Sequence, residues 1–291
     1  MQNPFQLQGN WYKGNLHSHT TISDGLMIPK GLIYVYHKAG YQFLAITDHW
    51  KMTDVSEFKY GDFLVLSGIE LTGGTANKYH IVGIGIDKEI AKENNKEYTL
   101  QECVSLIQNA NGIAILAHPY WNGLVFNDYS NIDGIIALEV YNTGCDVEIA
   151  RGYSEVHWDD ILSGGKKINA IAVDDTHRAP FDILGGWVMV KAKSLTKVEI
   201  IDSLKNRLFY SSTGPDIYNI EINNKKIYVK CSPVKRIDLV SNPTLGDVLM
   251  ARDGKNLTEA EFKINKCLKY IRIQIADFEG RKAWSNPFYF E

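Results

Sequence analysis

The chain has 291 residues, of which 45% are hydrophobic and 22% charged, and its formal net charge is −3. These values are typical of a folded globular protein and exclude disordered, collagen-like and coiled-coil chains. Because there is no overall surplus of basic residues, the sequence argues against a protein that covers duplex nucleic acid with a broad basic surface. The length accommodates one large domain with a small one, or two domains of medium size.

The cysteines and the N-terminal sequence bear on the compartment. The four cysteines lie far apart and form no C-x-x-C pair, so they resemble neither a zinc ribbon nor a disulfide framework. The first twenty residues lack the basic and apolar regions of a signal peptide, and no stretch approaches 18 uninterrupted apolar residues. These features predict a cytoplasmic protein that does not span a membrane.

Residues 11–213 alternate short apolar runs with helical patterns, which is typical of repeated β-α units. The predicted strands cover residues 15–19, 43–47, 64–70, 80–86, 114–117, 136–141, 169–173 and 187–190. The predicted helices cover residues 29–39, 99–109, 145–162 and 195–206. Seven or eight strands with intervening helices favour a closed α/β barrel over an open sheet.

The pattern changes after residue 213, where helical signals stop and short alternating segments take over. The predicted strands there cover residues 217–222, 227–230, 236–241 and 269–277, and the first two form a hairpin through Asn223 and Asn224. The sequence therefore predicts an α/β domain over residues 1–213 and a small all-β, sandwich-like domain over residues 214–291. A structural lid or a dimerisation module is favoured for this second domain over a second active site.

Histidines and carboxylates carry the chemical signal. His17 and His19 are two residues apart at the end of a predicted strand, so both imidazoles can face one metal ion, although an isolated H-x-H is more often structural. Further polar motifs follow the ends of other predicted strands, where α/β barrels assemble their active sites. They are Ser23-Asp24-Gly25, Thr47-Asp48-His49, Glu70, His118-Pro119 and Asp175-Thr176-His177.

Two observations qualify this pattern. His80 begins its predicted strand instead of ending it, and we expect a loop to bring it to the same mouth. Six of the eight histidines belong to the set, whereas His37 and His157 lie in helical patterns and are predicted to be ordinary surface or packing residues.

The ordered series HSHTTISDG, TDH, GIE, YH, AHP and DDTH resembles the PHP (polymerase and histidinol phosphatase) family of metal-dependent phosphoesterases over residues 11–213. Within that family it is most similar to the branch of small-nucleotide phosphoesterases and carbaryl-hydrolase-like proteins. The resemblance implies a distorted (β/α)7 barrel that holds up to three divalent ions.

Each matching position then receives a role from the resemblance. The first ion would bind His17, His19, Glu70 and Asp175; the second would bind Glu70, His80 and His118; the third would bind Asp24, His49 and His177. Mixed imidazole and carboxylate ligands suit Zn²⁺, Mn²⁺ or Fe²⁺ and leave positions open for water. Some family members have histidine where this chain has Asp24, so the third site is expected to be harder and more suited to Mn²⁺.

Charge counting then predicts the reaction. Three divalent ions and three ligand carboxylates leave a local positive charge, which attracts phosphate and stabilises the charge that develops during its transfer. The sequence predicts a phosphoric ester hydrolase that uses two or three Zn, Mn or Fe ions and a bridging hydroxide. Its substrate would be a small phosphorylated molecule, such as a nucleotide, a sugar phosphate or a short oligonucleotide.

Two alternatives stay open at this point. The same ligands could hydrolyse a carboxylic ester, an amide or a carbamate, because a bridging hydroxide also attacks a carbonyl carbon. The chain could also be a non-catalytic, metal-binding accessory domain, although no matched ligand position is missing.

Several neighbours are assigned supporting roles. The predicted catalytic residues are Glu70, Asp175 and Arg178. Arg178 could bind phosphate bidentately, with a surface ion pair as the alternative. Asp48 is expected to orient a ligand imidazole, and Glu139 to support the ligands without coordinating an ion. Aromatic residues after Pro119 could line a ring-binding pocket or simply pack; they are Tyr120 and Trp121.

Overall fold

A computed structural model describes residues 2–75, 78–223, 226–252, 254–264 and 268–290. The strands are β1 (Asn10–Asn15), β2 (Phe43–Ile46), β3 (Leu64–Gly73), β4 (Tyr79–Ile84), β5 (Ile113–Leu116), β6 (Ile135–Asn142), β7 (Asn169–Val173), β8 (Trp187–Ala192), β9 (Phe209–Ser212), β10 (Ile217–Ile222), β11 (Lys226–Val234), β12 (Arg236–Ser241), β13 (Gly246–Met250), β14 (Leu257–Lys263), β15 (Tyr270–Ala276), β16 (Lys282–Ser285) and β17 (Phe288–Tyr289). The helices are α1 (Pro29–Lys38), α2 (Leu100–Asn109), α3 (Phe126–Tyr129), α4 (Thr143–Ile149), α5 (Glu155–Ser163) and α6 (Lys197–Lys205). Within the described ranges, no helix combines the length and the apolar character needed to cross a membrane.

One large mixed sheet organises the chain into an α/β protein. Its strand order is β13-β12-β15-β16-β9-β8-β1-β2-β3-β4-β5-β6-β7, with β17 paired to β15, and β10, β11 and β14 form a separate sheet. Strands β1 to β3 are parallel, as are β5 to β7. Strand β4 runs antiparallel to both of its neighbours.

The two ends of the strand series β1 to β7 approach each other beyond β1 and β7. Ser18 and Thr176 form a parallel bridge, and the backbone NH of His19 donates to the carbonyl of Thr176 at 3.0 Å. The NH of Asp175 likewise donates to the carbonyl of His17 at 2.9 Å. The segments that follow β1 and β7 therefore lie side by side, while a fully closed barrel stays a prediction.

Local signals explain the helix boundaries. Pro29 opens α1, where its fixed φ suits the first turn and its missing NH costs no hydrogen bond. Helix α2 begins with a capping box, in which the Thr99 hydroxyl accepts from the NH of Glu102 and the Glu102 carboxylate accepts from the NH of Thr99. Both helices bury one apolar face against the sheet, at Leu32, Ile33 and Tyr36 in α1.

Two predicted elements were wrong. The strand predicted at residues 15–19 ends at Asn15, because the Asn15 side chain accepts from the NH of His17 at 3.0 Å and turns the chain away. The helix predicted at residues 145–162 is two helices, α4 and α5. It is interrupted at Ala150, which has φ of 57°, and the next residues pair with β6 through a bridge between Tyr141 and Tyr153.

The segment after residue 213 contributes strands to the same large sheet. Strand β16 pairs with β9, and β15 and β12 extend the sheet further. Strands β10 and β11 confirm the predicted hairpin, although residues 224–225 of its turn lie outside the described residues. Strands β9, β13, β14, β16 and β17 and helix α3 were not predicted. The domain boundary and the sandwich stay predictions.

Three cysteines, Cys103, Cys145 and Cys231, are buried and free, and Cys267 lies outside the described residues.

Candidate metal centre

The side chains of the predicted ligands meet in one cluster, beside a cavity of about 600 Å³. Four overlapping groups of potential ligand atoms lie within 4.8 Å of one another. Together these groups contain all nine predicted ligands: His17, His19, Asp24, His49, Glu70, His80, His118, Asp175 and His177. Residues scattered over 160 positions of the sequence therefore face a common point.

The innermost group has the spacing of ligands around one ion. The Nε2 atoms of His17 and His19 are 3.0 Å apart, and Glu70 Oε2 lies 3.4 Å and 3.2 Å from them. Asp175 Oδ1 is 3.2 Å from both nitrogens. Ligands about 2.0–2.2 Å from a zinc ion, at angles of about 90–110°, are roughly 2.8–3.6 Å apart. These four atoms fall within that range.

The second carboxylate oxygen of Glu70 faces a different pair of histidines. Glu70 Oε1 lies 2.8 Å from His80 Nδ1 and 3.4 Å from His118 Nε2. Each oxygen of this buried carboxylate thus points at its own group of nitrogens, which is the arrangement expected of a carboxylate that bridges two ions.

A third group lies nearer to solvent. Asp24 Oδ1 is 3.4 Å from His177 Nε2, and Asp24 Oδ2 is 3.5 Å from His49 Nε2. The Asp24 side chain is 54% exposed, whereas that of Glu70 is 1% exposed. Any ion held here would exchange ligands with water more readily than one held in the inner groups.

The residues present fit divalent metal ions. Asp175 Oδ1 and His49 Nδ1 are buried atoms without a hydrogen-bond partner, although charged or polar atoms lie about them. A buried polar atom without a partner costs about 1–3 kcal/mol. A cation between Asp175 and its two neighbouring imidazoles would satisfy the carboxylate and the nitrogens together.

Charges within the cluster support each other. Burial alone would raise the pKa of Glu70, but the charges of His17, His80 and His49 hold it well below its usual value. Burial would lower the pKa of His17, but nearby carboxylates, led by Asp175, raise it well above its usual value. The carboxylates are therefore anionic at neutral pH, and metal binding must displace protons from the imidazoles.

Strand ends place most of these side chains. The ligands at positions 17 and 19 follow β1, position 49 follows β2, position 118 follows β5 and position 175 follows β7. His118 and Asp175 have positive φ, at 24° and 56°, in a region that residues other than glycine rarely occupy. Such backbone strain is typical of functional sites, where the surrounding structure enforces it.

His80 reaches the cluster by a route that the sequence did not predict. It lies within β4 and pairs with Thr72 of β3, and these strands are antiparallel. The start of β4 therefore lies beside the end of β3, where Glu70 is found. The expectation that a loop carries His80 was wrong, since the reversed direction of the strand is sufficient.

Glu139 supports two ligands, as the sequence predicted. Its Oε1 lies 2.6 Å from His17 Nδ1, and its Oε2 accepts from the NH of His118 at 2.9 Å and from Asn142 Nδ2 at 2.8 Å. With a proton on Nδ1 of His17, the Nε2 lone pair faces the cluster. Buried carboxylates of this kind fix the orientation and tautomer of a ligand histidine.

Asp48 has a different role from the predicted one. Its carboxylate accepts from the NH and hydroxyl of Thr20, from the NH and hydroxyl of Ser23, and from the hydroxyl of Thr53. It therefore organises the loop between His19 and Asp24 and does not contact an imidazole, because its side chain points away from the cluster.

Two aspartates were missed by the sequence analysis. Buried Asp174 accepts from the hydroxyls of Tyr36 and Thr143 and from the NH groups of residues 184–186. Asp182 accepts from the NH groups of His177 and Arg178, at 2.7 Å and 2.6 Å. The doubled aspartate of DDTH was a usable signal for Asp174, since two adjacent carboxylates after a strand cannot both face the same side.

The remaining predicted residues divide between the cavity and the surface. Arg178 and Trp121 line the cavity, and Arg178 is 68% exposed with Nη2 3.7 Å from Glu148 Oε1. His37 contacts Asp62, and His157 contacts a backbone carbonyl, so both lie outside the cluster as predicted.

Comparison with known proteins points to one fold. A solved structure of a two-domain protein from Bacteroides vulgatus, containing a predicted PHP-like metal-dependent phosphoesterase, superposes with a TM-score of 0.53 and 14% identity. The match covers 97% of this chain and 95% of that one. The chain has a PHP-like fold. The PHP resemblance of the motifs is thereby confirmed, and the His, Asp and Glu cluster on this fold fits a metal-dependent hydrolase.

Sequence comparison gives shorter matches, and no family model matches the chain. It is 31% identical over 81 residues to a 5'-3' exoribonuclease of Haemophilus influenzae, and 28% identical over 132 residues to the DNA polymerase/3'-5' exonuclease PolX of Bacillus subtilis. These matches cover 26% and 37% of this chain and only 30% and 23% of the two relatives.

Proposed function

We propose that this protein is a metal-dependent phosphoesterase that hydrolyses a small phosphorylated substrate. The observation that carries the proposal is the geometry of Glu70, whose two oxygens face separate groups of imidazole nitrogens at 2.8–3.4 Å. Sites with this division of ligands hold paired divalent ions that clamp both ends of an in-line displacement at phosphorus.

The chain's own residues would prepare the site for this reaction. Bound divalent ions supply Lewis acidity, which activates water and neutralises charge on the phosphoryl group. Glu70 and Asp175 stay anionic because imidazoles surround them, and Glu139 keeps the Nε2 atom of His17 turned toward the cluster. Arg178 stands exposed at the mouth, where its loose contact with Glu148 leaves the guanidinium able to bind a phosphoryl oxygen.

A small substrate suits the cavity. Pockets for small molecules typically measure about 300–1,000 Å³, and this one measures about 600 Å³. The exonucleases among the relatives act on polymers by name, but the chain matches less than a third of each. We therefore extend to this chain the metal-dependent reaction and not the polymeric substrate.

Metal analysis joined to an activity panel tests the proposal. Protein purified without added metal is analysed for Zn, Mn and Fe, reloaded with each, and assayed against nucleoside monophosphates, sugar phosphates, dinucleotides and carboxyl esters. His118→Gln should lose bound metal and activity, whereas His37→Gln, which changes a histidine outside the cluster, should retain both.

Each outcome decides a separate point. Hydrolysis of phosphate esters that requires His118 supports the proposal. Hydrolysis of carboxyl esters alone would replace it with the carboxyl-ester alternative, and metal-loaded protein without any hydrolysis would indicate a non-catalytic metal-binding domain.

A further inference from the structure

The mouth of the metal cavity is lined by apolar side chains that are exposed to solvent. Leu26 is 71% exposed, Val147 57% and Phe181 74%, and Trp121 lines the same cavity. Exposing large apolar side chains together is unfavourable, and a group of them beside a pocket marks a binding surface. We name these four residues the apolar rim.

Hydrogen bonds hold the apolar rim in place. The NH of Leu26 donates to the carbonyl of His177 at 2.9 Å, which ties the loop after β1 to the loop after β7. The NH of Phe181 donates to the carbonyl of Arg178 at 3.1 Å, in a turn that Asp182 caps. The rim is therefore joined to the loops that carry the metal cluster.

Trp121 is fixed independently of those loops. Its Nε1 donates to Glu148 Oε2 at 3.0 Å, and its ring meets the ring of His118 edge to face with centroids 5.2 Å apart. The indole thus stands directly beside one of the proposed ligands. A ring bound against it would lie close to the reacting phosphoryl group.

The charge of the cavity wall restricts the other end of the substrate. Among the described residues that line the cavity, Arg178 is the only arginine or lysine. A chain of nucleotide phosphates requires several cations along its path, because each phosphate carries a charge that must be neutralised. One guanidinium and the metal cluster are suited to a single phosphoryl group with an uncharged remainder.

We infer that the substrate of this site is a phosphate monoester of an apolar, ring-containing alcohol, such as an aryl phosphate. The inference rests on the proposed function and adds the substrate class to it. The phosphoryl group lies at the metal cluster, and the ring lies against the apolar rim.

The reaction balances without any further reactant. The oxygen of water forms a bond to phosphorus, and the bond between phosphorus and the aryl oxygen breaks. The leaving oxygen takes the aryl electron pair and one proton of the water, which gives inorganic phosphate and the free hydroxyl compound.

The test uses substrates that differ in apolar area and not in the acidity of the leaving group. Phenyl phosphate and 2-naphthyl phosphate form such a pair, with glycerol 2-phosphate as the polar reference. Burying the second ring should lower KM about fivefold, at roughly 25 cal/mol per Å² of apolar surface. Phe181→Ser should raise KM for 2-naphthyl phosphate by about fivefold and leave that for glycerol 2-phosphate unchanged.

The matched control is Phe278→Ser, which removes a 53% exposed phenylalanine that does not line the cavity. Its KM values should equal those of the wild-type protein. A second readout does not depend on turnover: calorimetric titration of the Mn²⁺-loaded protein with 2-naphthylmethylphosphonate and with methylphosphonate. The aryl phosphonate should bind more tightly, and Phe181→Ser should remove the difference.

The outcomes separate this inference from the proposed function. Equal KM values for the phenyl and naphthyl esters, together with no effect of Phe181→Ser, would overturn the substrate class while the phosphoesterase proposal stands. Hydrolysis of none of the esters would overturn the proposed function. The phosphonate titration would then decide the rim: tighter aryl binding lost in Phe181→Ser supports ring recognition, and equal binding of both phosphonates overturns it.

Discussion

Glu139 offers a sharp test of how the candidate metal centre is supported, because it contacts ligands without being one. Its Oε1 accepts from His17 Nδ1, and its Oε2 accepts from the NH of His118 and from Asn142. In Glu139→Gln the side chain keeps its shape but has one accepting oxygen and one donating NH₂ group.

Either orientation of that amide creates a conflict. If the NH₂ group faces His17, the ring must carry its proton on Nε2, and the nitrogen that faces the cluster can no longer bind an ion. If the NH₂ group faces the other side, two buried donors lose their acceptor. Loss of such support typically weakens metal binding by about 10- to 100-fold, or roughly 1.4–2.8 kcal/mol.

The assay is a competition titration of Zn²⁺ or Mn²⁺ against a chelator, with the tightest sites fitted separately. Asp238→Asn is the matched control, since it also neutralises a buried carboxylate, but one in β12 that pairs with Arg236. The control should bind metal as tightly as the wild-type protein. If folded Glu139→Gln protein also binds within twofold of wild type, the supporting role assigned to Glu139 is wrong.

Three further predictions follow from the same contacts. Asp24→Ala should lose the outer ion and keep the inner ions, because Asp24 contacts only the solvent-side group; elemental analysis that finds every ion retained would refute that grouping. Asp174→Asn should destabilise the protein by about 2–4 kcal/mol in urea unfolding, because one amide oxygen cannot serve all its donors, while Tyr36→Phe should cost only about 1 kcal/mol; equal losses would contradict this reasoning. In metal-free protein, burial opposes but Asp24 and Asp175 raise the pKa of His177 from 6.5 to about 9, so its stabilising effect is complete below the lower value and is lost as pH rises through the higher one. Thermal midpoints of wild type and His177→Gln should therefore converge as pH approaches about 9, and a constant difference would show that this titration does not contribute.

The sequence predicted the members of the cluster better than their surroundings. Polar residues after buried strands identify a site because the strand ends of an α/β sheet share one side, and this placed His118 and Asp175 correctly in the cluster. The pairing direction of β4 could not be predicted, since strand direction depends on distant partners, and His80 was therefore explained incorrectly. Asp48 and Asp174 have contacts set by side-chain direction in irregular loops, which periodicity does not encode.

Long-range pairing also escaped prediction. The helical pattern of residues 145–162 shows no proline, yet backbone pairing with β6 interrupts it near Ala150. The short strands β9 and β16 have four residues each, too few for a clear alternating pattern. Their partners lie about 70 residues away, so that only the folded structure reveals the pairing.

The pairing of β16 with β9 has a practical consequence for anyone who trims this protein. The segment that contains β16 reaches well beyond its partner strand: Trp284 donates to Glu155 of α5, and the Asn286 side chain accepts from the NH of Ala170 in β7. Strand β7 leads into Asp175. A fragment that stops at residue 213 keeps every proposed metal ligand, but it leaves β9 with an unpaired edge and removes contacts that hold the strand behind one of those ligands. Designs that minimise the enzyme should shorten the region between β12 and β15 and retain residues 282–289.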